Sequence, residues 1–123
     1  MVEEHIYIYI GLESMTLYAK YLKERENKEI LEENQGFATY RMLDGGICYI
    51  IDIYVEESAR KTGLATEMAN KVCEIAKKHG CSHLIGSVCV DANKPTESLK
   101  VLLAYGMELF NVQDTMIYFK KEL

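Results

Sequence analysis

From residue 5 to residue 10 the chain reads H-I-Y-I-Y-I. This strict alternation predicts a strand with Ile6, Ile8 and Ile10 on one face. The period then lengthens: Met15, Tyr18, Ala19 and Leu22 recur at helical spacing and predict a helix over 14–25. A short strand at 29–33, a turn at Asn34-Gln35-Gly36 and a strand at 37–43 follow. Asp44-Gly45-Gly46 is a hairpin signal leading into an apolar strand at 47–55. Leu64, Met68, Val72, Ile75 and Ala76 share one face of a helix predicted over 63–79. Lys77, Lys78 and His79 suit its C-terminal dipole and Gly80 its end. The rest reads as a strand at 82–90, a polar loop with Pro95, and a helix at 96–104 closed by Gly106. Two strands at 107–112 and 115–121 complete it.

The order β-α-β-β-β-α-β-α-β-β mixes hairpins with crossovers. It predicts an α+β protein of three layers (αβα) around a mixed, mostly antiparallel sheet. At 123 residues, with no repeat or linker, a single domain spanning 1–123 is expected.

Composition narrows the class. The N-terminus lacks a basic n-region and an apolar h-region, and no apolar run approaches a membrane span, so a cytoplasmic protein with no membrane partner is expected. Cys48, Cys73, Cys81 and Cys89 form no C-x-x-C pair and read as reduced, buried thiols. His79, Cys81 and His83 make an H-x-C-x-H string, but Gly80 separates His79 from the other two and no fourth ligand is close; no metal is expected. With 14 Lys/Arg against 19 Asp/Glu the net charge is −5, which disfavours nucleic acid. Residues 1–57 hold 5 basic and 12 acidic residues, and 58–123 hold 9 and 7. An anionic ligand therefore suits the second half and a cationic one the first, although an ordinary uneven surface explains the split equally well.

Chemistry concentrates in A-R-K-T-G-L-A at 59–65, between a β-rich run and a helix. A helix opened by a glycine turn presents unpaired N–H groups and a positive dipole end to an anion. Gly63 permits close approach, Ala65 keeps the next turn small, and Arg60, Lys61 and Thr62 add charge and a hydroxyl. The loop is neither a G-x-x-x-x-G-K-[ST] nor a G-x-G-x-x-G sequence, so the ligand stays open at this level.

The pattern V-x-x-x-x-R-x-x-G-x-A, from Val55 to Ala65, resembles the V-x-P-x-x-[RQ]-x-x-G-x-[GA] of the GNAT superfamily of acyl-CoA N-acyltransferases. E-I-L-E-E-N-Q-G-F-A-T-Y, L-L-A-Y-G-M-E-L and D-T-M-I-Y-F-K-K-E-L extend the similarity over about 29–123. The resemblance implies a GNAT-like fold and an N-acetyltransferase moving an acetyl group from acetyl-CoA to a primary amine, either a small amine or one on a protein. It implies that Lys61, Thr62, Gly63, Leu64, Ala65 and Thr66, with Arg60, hold the coenzyme A pyrophosphate. Main-chain groups of Ile53, Tyr54 and Val55 would pair with the pantetheine arm where the strands at 47–55 and 82–90 splay apart, and Asn93 would contact the cofactor. Asn93 is equally a turn residue before Lys94-Pro95.

Departures bear on catalysis. Glu57 replaces a common proline, Met107 a phenylalanine, and Gly106 lies 13 positions after Asn93, two more than usual. Tyr49 and Val88 stand where relatives place a glutamate, and Leu102 where they place a tyrosine acid. The catalytic side chains therefore stay unassigned. Tyr105, one helical turn after Leu102, is a weak candidate and reads more simply as a structural tyrosine. Asp52 interrupts an apolar strand, and alternation puts it on the face opposite Tyr49, Ile51 and Ile53. Glu56 and Asp91 lie nearer the expected cleft mouth. Only 18 residues separate Ile10 from Glu29, enough for one helix where the family has two. The open cleft and acidic N-terminal half fit a cationic acceptor. A GNAT-fold module that binds coenzyme A without much transfer is the alternative. Tyr7, Tyr9 and Tyr18 suit a core, an acceptor site or a homodimer surface, of which a core is the simplest.

Overall fold

The computed structural model describes residues 15–91 and 95–123, so the strand expected at 5–10 and Asn93 lie outside the described residues. Helix α1 (Leu17–Glu26) starts at Thr16, whose extended backbone lets Oγ1 accept the Ala19 N–H at 3.0 Å. That cap sets the start later than the periodicity suggested. Asn27, left-handed at φ 53°, ends the helix.

Strands β1 (Glu29–Glu33), β2 (Gly36–Leu43) and β3 (Ile47–Val55) form an antiparallel meander. Gly45 and Gly46, at φ 85° and 76°, make the second turn as the Asp-Gly-Gly signal required. A 3₁₀ turn (Glu57–Ala59) leads to α2 (Leu64–Lys78), then β4 (His83–Cys89), α3 (Pro95–Ala104), β5 (Glu108–Gln113) and β6 (Met116–Glu122). Pro95 opens α3 in the first turn, where a missing N–H costs no intrahelical bond. The sheet order is β1-β2-β3-β4-β6-β5, with β3 and β4 the only parallel neighbours among the described strands. This is the expected mixed, mostly antiparallel α+β sheet.

Helices cover both faces. Met68, Val72 and Ala76 of α2 pack against Ala38, Tyr40 and Cys48, while Leu84, Met107 and Phe119 continue the core beside them. Leu102 of α3 lies over Gly86 on this face, where an added Cβ would stand 3.4 Å from its Cδ2. On the opposite face α1 is tied to the sheet by polar contacts, among them the Lys23–Glu29 ion pair. Thr16 Oγ1 donates to Glu32 at 2.8 Å, and Arg41 donates through Nη2 to the Glu26 carbonyl at 2.8 Å and through Nε to that of Asn27 at 3.1 Å.

Two irregularities shape the centre. First, β3 and β4 pair only at Ile47↔His83, Cys48↔Leu84 and Tyr49↔Ile85. Beyond Tyr49 the strands part, leaving the rest of β3 without a strand partner on that side among the described residues. Second, β3 carries a bulge: Tyr40 pairs with Ile50, but Thr39 pairs with Asp52, leaving Ile51 extra. A bulge bends and twists its strand and resets the alternation of side chains. Asp52 therefore shares a face with Tyr49 and Thr39, which corrects the expectation that it faces the other way. The Thr39 hydroxyl, buried at 4% exposure, donates to Asp52 Oδ2 at 3.4 Å.

Candidate active site

The parted strands make an opening with three walls: the free side of β3, the free side of β4, and the start of α2. Glu56 N donates to Gln35 O at 2.9 Å, and these two residues stand opposite each other in the β2–β3 register. Hydrogen-bonded pairs alternate along an antiparallel ladder. The main-chain groups of Tyr54 are thus spent on Phe37 of β2, whereas those of Ile53 and Val55 point into the opening. Of the three residues expected to offer backbone there, two do so.

Gly36 makes this corner possible. A Cβ on Gly36 would stand 2.4 Å from the Tyr54 carbonyl oxygen and 3.1 Å from Met68 Cε, so only glycine lets β2 pass this close.

At the mouth, the loop after β3 folds through a tight turn at Arg60 and Lys61. Arg60 has φ −71° and ψ 152°, and Lys61 has φ 65°, a left-handed backbone that a side chain rarely adopts. Thr62 Oγ1 donates to the Ala59 carbonyl at 2.6 Å, which closes the turn and commits the hydroxyl proton. Gly63, at φ 89°, sits at the N-cap of α2 without a side-chain cap. Glu67 is the first amide to bond back, to Gly63 O at 3.0 Å, so the N–H groups of Leu64, Ala65 and Thr66 have no carbonyl one turn behind them. A Cβ built on Gly63 meets nothing within 4 Å. The result is an uncapped helix start with clear space in front of it.

Arg60 is exposed and reaches back. Its Nε donates to Val55 O at 2.9 Å, and its guanidinium lies 5.9 Å from the Tyr54 ring centre, which in turn packs on Phe37 at 5.6 Å. One of the two inward carbonyls of β3 is thus already satisfied. Glu56 lies beside the loop, where its Oε1 accepts from Gln35 at 3.2 Å and Ser58 at 3.4 Å. Asp91 is exposed at the end of β4.

At the apex, where pairing stops, Tyr49 OH and Ser87 Oγ approach to 2.6 Å and bridge the two strands. Ser87 was not singled out from sequence. Its only sequence signal is a hydroxyl among apolar residues of a strand, in phase with Ile85 and out of phase with buried Leu84 and Val88. Val88, by contrast, points into the core at 5% exposure. Tyr105 goes elsewhere. Its hydroxyl donates to Asn70 Oδ1 at 2.6 Å and lies 3.4 Å from Cys73 Sγ, while Lys121 Nζ sits 5.3 Å from its ring centre. Burial first, then Cys73, pushes its pKa well above the usual phenol value. The phenol lines a cavity of about 350 Å³ beside α2, with Glu74, Lys77 and Lys121, rather than the opening. His79, Cys81 and His83 separate as well: His79 Nδ1 lies 3.1 Å from Ile75 O, Cys81 Sγ 3.6 Å from Met42 Sδ, and His83 Nδ1 2.9 Å from Ser82 Oγ.

A mixed sheet split between its two central parallel strands, with an uncapped glycine-started helix at the split, defines the class to which this chain belongs. The family model of the acetyltransferase (GNAT) family matches residues 9–101. The chain is a member of that family, a GNAT-type acetyltransferase. No curated protein sequence matches it at a significant level. Among solved structures, it is similar to a GNAT family acetyltransferase from Elizabethkingia anophelis with acetyl-CoA bound (19% identity, TM-score 0.67), covering 90% of this chain and 84% of that one. It is also similar to the Bacillus subtilis acetyltransferase in complex with CoA (18%, TM-score 0.66; 85% and 83% covered). An IAA acetyltransferase from Bacillus cereus is alike at 17% identity and TM-score 0.65, with 90% and 94% covered. Among the described residues no helix is long and apolar enough to cross a membrane.

Proposed function

We propose that the protein transfers an acetyl group from acetyl-CoA to a primary amine. The observation that carries this is the conjunction of the uncapped α2 start with the inward backbone of Ile53 and Val55. The uncapped helix start suits an anion such as a pyrophosphate, and an extended amide arm can pair with a strand side that has no neighbour among the described residues. The likeness to neighbours solved with CoA and acetyl-CoA supports the cofactor. When bound, acetyl-CoA supplies the thioester carbonyl that an amine attacks.

The chain's own residues then have distinct tasks. Leu64, Ala65 and Thr66 donate N–H groups, and Lys61 and Arg60 add charge. Placing the acyl group at the apex, beside Tyr49 and Ser87, leaves it within the unpaired stretch of both strands. An amine of pKa ~10.4 is neutral in only ~10⁻³ of molecules at pH 7, a penalty of about 4 kcal/mol. A carboxylate can hold the ammonium and take its proton directly or through water. Asp52, turned by the bulge to the Tyr49 face, is the carboxylate of the open half of β3. This supports an amine acceptor, as does the acidic balance of the first half of the chain.

A second reading keeps one specific support. Among the described residues the apex carries two hydroxyls and no carboxylate, Leu102 is apolar, and Tyr105 is engaged with α2, which suits a domain that holds the cofactor and transfers little. The two readings part on turnover. Free thiol released from acetyl-CoA in the presence of a panel of primary amines, well above the rate without amine, supports the enzyme. Tight acetyl-CoA binding with no amine-dependent release supports the module. No binding of acetyl-CoA to folded protein would refute both.

A further inference from the structure

On the α1 face, beside the Tyr49–Ser87 bridge, lies a cavity of about 260 Å³ lined by Leu43, Tyr49, Ile85, Phe110, Tyr118 and the amides Asn111 and Gln113. Its chemistry is specific. The walls are aliphatic and aromatic, the polar atoms are uncharged, and among the described residues no acid or base lines it. A second bulge shapes this wall. The β5–β6 register runs from Leu109↔Phe119 to Asn111↔Tyr118, so Phe110 is an extra residue in β5. Phe110 lies two residues after Glu108, so alternation already puts its ring on the Tyr118 side, at 6.4 Å between centres, and the bulge adds Asn111 to the same face. Lys120 Nζ lies 5.7 Å from the Phe110 ring centre, and Glu108 stands opposite Lys120 in register, both outside the lining.

Resting on the transferase reading above, we propose that this cavity is the acceptor subsite and that it selects a small amine with a neutral aromatic body, such as an arylalkylamine, over a polycation. Tyr49 joins the two sites: its ring walls the cavity while its hydroxyl stands at the apex, so a body seated here holds its amino group toward the point where the strands part. The volume lies at the small end of ligand pockets, which suits one ring and a short chain. A polyamine or basic peptide would bring further ammonium groups that find no carboxylate among the described lining residues, while Lys120 and Glu108 beside the cavity offset each other. Burial of the ring against Phe110 and Tyr118 supplies the affinity, with Asn111 and Gln113 available to a ring hydroxyl.

The test uses the whole chain and Phe110→Ala, a substitution at an exposed edge-strand residue. Acetyl-CoA binding is measured first by calorimetry in both proteins, followed by initial rates with 2-phenylethylamine, tyramine, spermidine and a lysine peptide. The expected result is at least a tenfold higher kcat/KM for the aryl amines. In Phe110→Ala, their KM should rise about five- to tenfold, with kcat and acetyl-CoA affinity unchanged. Spermidine or the peptide as preferred acceptor, or an unchanged aryl-amine KM in the variant, would overturn the proposal. If acetyl-CoA does not bind, the transferase reading fails by itself, and the cavity is still judged by saturation-transfer NMR of 2-phenylethylamine without cofactor. A ring signal lost in Phe110→Ala supports the site; no signal in the wild type overturns it.

Discussion

Gly63 allows backbone geometry and anion recognition to be separated by two substitutions at one position. Its φ of 89° is a left-handed conformation, and a Cβ placed there touches nothing within 4 Å. Gly63→Ala therefore brings strain without a clash, about 1–2 kcal/mol for an L-residue held left-handed. In a domain of this size that lowers Tm by roughly 3–8 °C. Gly63→Glu carries the same strain but adds a carboxylate at the start of α2. That charge favours the helix dipole by about 0.3–1 kcal/mol, so the Glu variant should be no less stable than the Ala variant. Toward a pyrophosphate the sign reverses. At ~5 Å and an effective dielectric of ~20, one unit of like charge costs about 3 kcal/mol, and screening in salt reduces this to about 1.5–3. Calorimetry with acetyl-CoA should thus give Gly63→Ala a Kd within about threefold of wild type, and Gly63→Glu a Kd weaker by about ten- to a hundredfold. Thermal unfolding of the apo proteins supplies the control. Equal loss of binding in both variants would mean that the loop's shape, not its positive end, is what matters. Unimpaired binding in Gly63→Glu would refute the anion seat.

Gly36→Ala should cost 2 kcal/mol or more, because its Cβ would meet a carbonyl oxygen of the neighbouring strand at 2.4 Å and both sides are backbone; a denaturant midpoint equal to wild type would contradict it. Asp52→Asn should lower kcat/KM for amines about tenfold while changing stability by less than about 0.5 kcal/mol, since Asp52 is exposed and its bond from Thr39 is long; unchanged kinetics would remove it from the site. Burial pushes the pKa of Cys48 from 9.0 and that of Tyr40 from 10.0 up to about 12 each. Both groups stay neutral in the folded protein over a range where the unfolded chain ionises. Their contribution to stability is complete below about pH 9 and drains away between about pH 9 and 12. Urea unfolding from pH 8 to 11 should show this fall, and Cys48→Ala with Tyr40→Phe should flatten it; a level wild-type profile would refute the burial argument.

Period and turn chemistry were enough to read much of the fold. β3 was expected at 47–55 and is Ile47–Val55, and α2 differs from its expected span by one residue at each end. Both carry long, consistent patterns, with Gly46 before β3 and Gly63 and Gly80 at the ends of α2. Helix α1 was read to begin at 14 because apolar spacing says where a helix faces, not where it is capped. The faces of β3 were misread for a related reason. A bulge is a property of two strands in register, and nothing in I-C-Y-I-I-D-I-Y-V announces that Ile51 has no opposite number in β2. With it went the orientation of Asp52. The A-R-K-T-G-L-A loop was legible as an anion seat because its chemistry is local. That Thr62 closes its own turn and Arg60 caps Val55 was not, since both bonds depend on where the loop doubles back. The Tyr49–Ser87 pair joins residues 38 apart in sequence and required the two strands to be laid side by side.

The division of the sheet has a counterpart in the order of the chain. The seam of three residue pairs between β3 and β4 separates β1–β2–β3 from β4–β6–β5. Each group is built from one unbroken stretch of sequence, the first ending at α2 and the second beginning at β4. Each also brings its own helix, since α2 packs on β2 and β3 and α3 packs on β4. The molecule is in this sense two half-proteins, hinged along a short parallel seam and joined through Gly80. A ligand lying in the opening would touch both, and would act as the clasp that the sheet itself lacks.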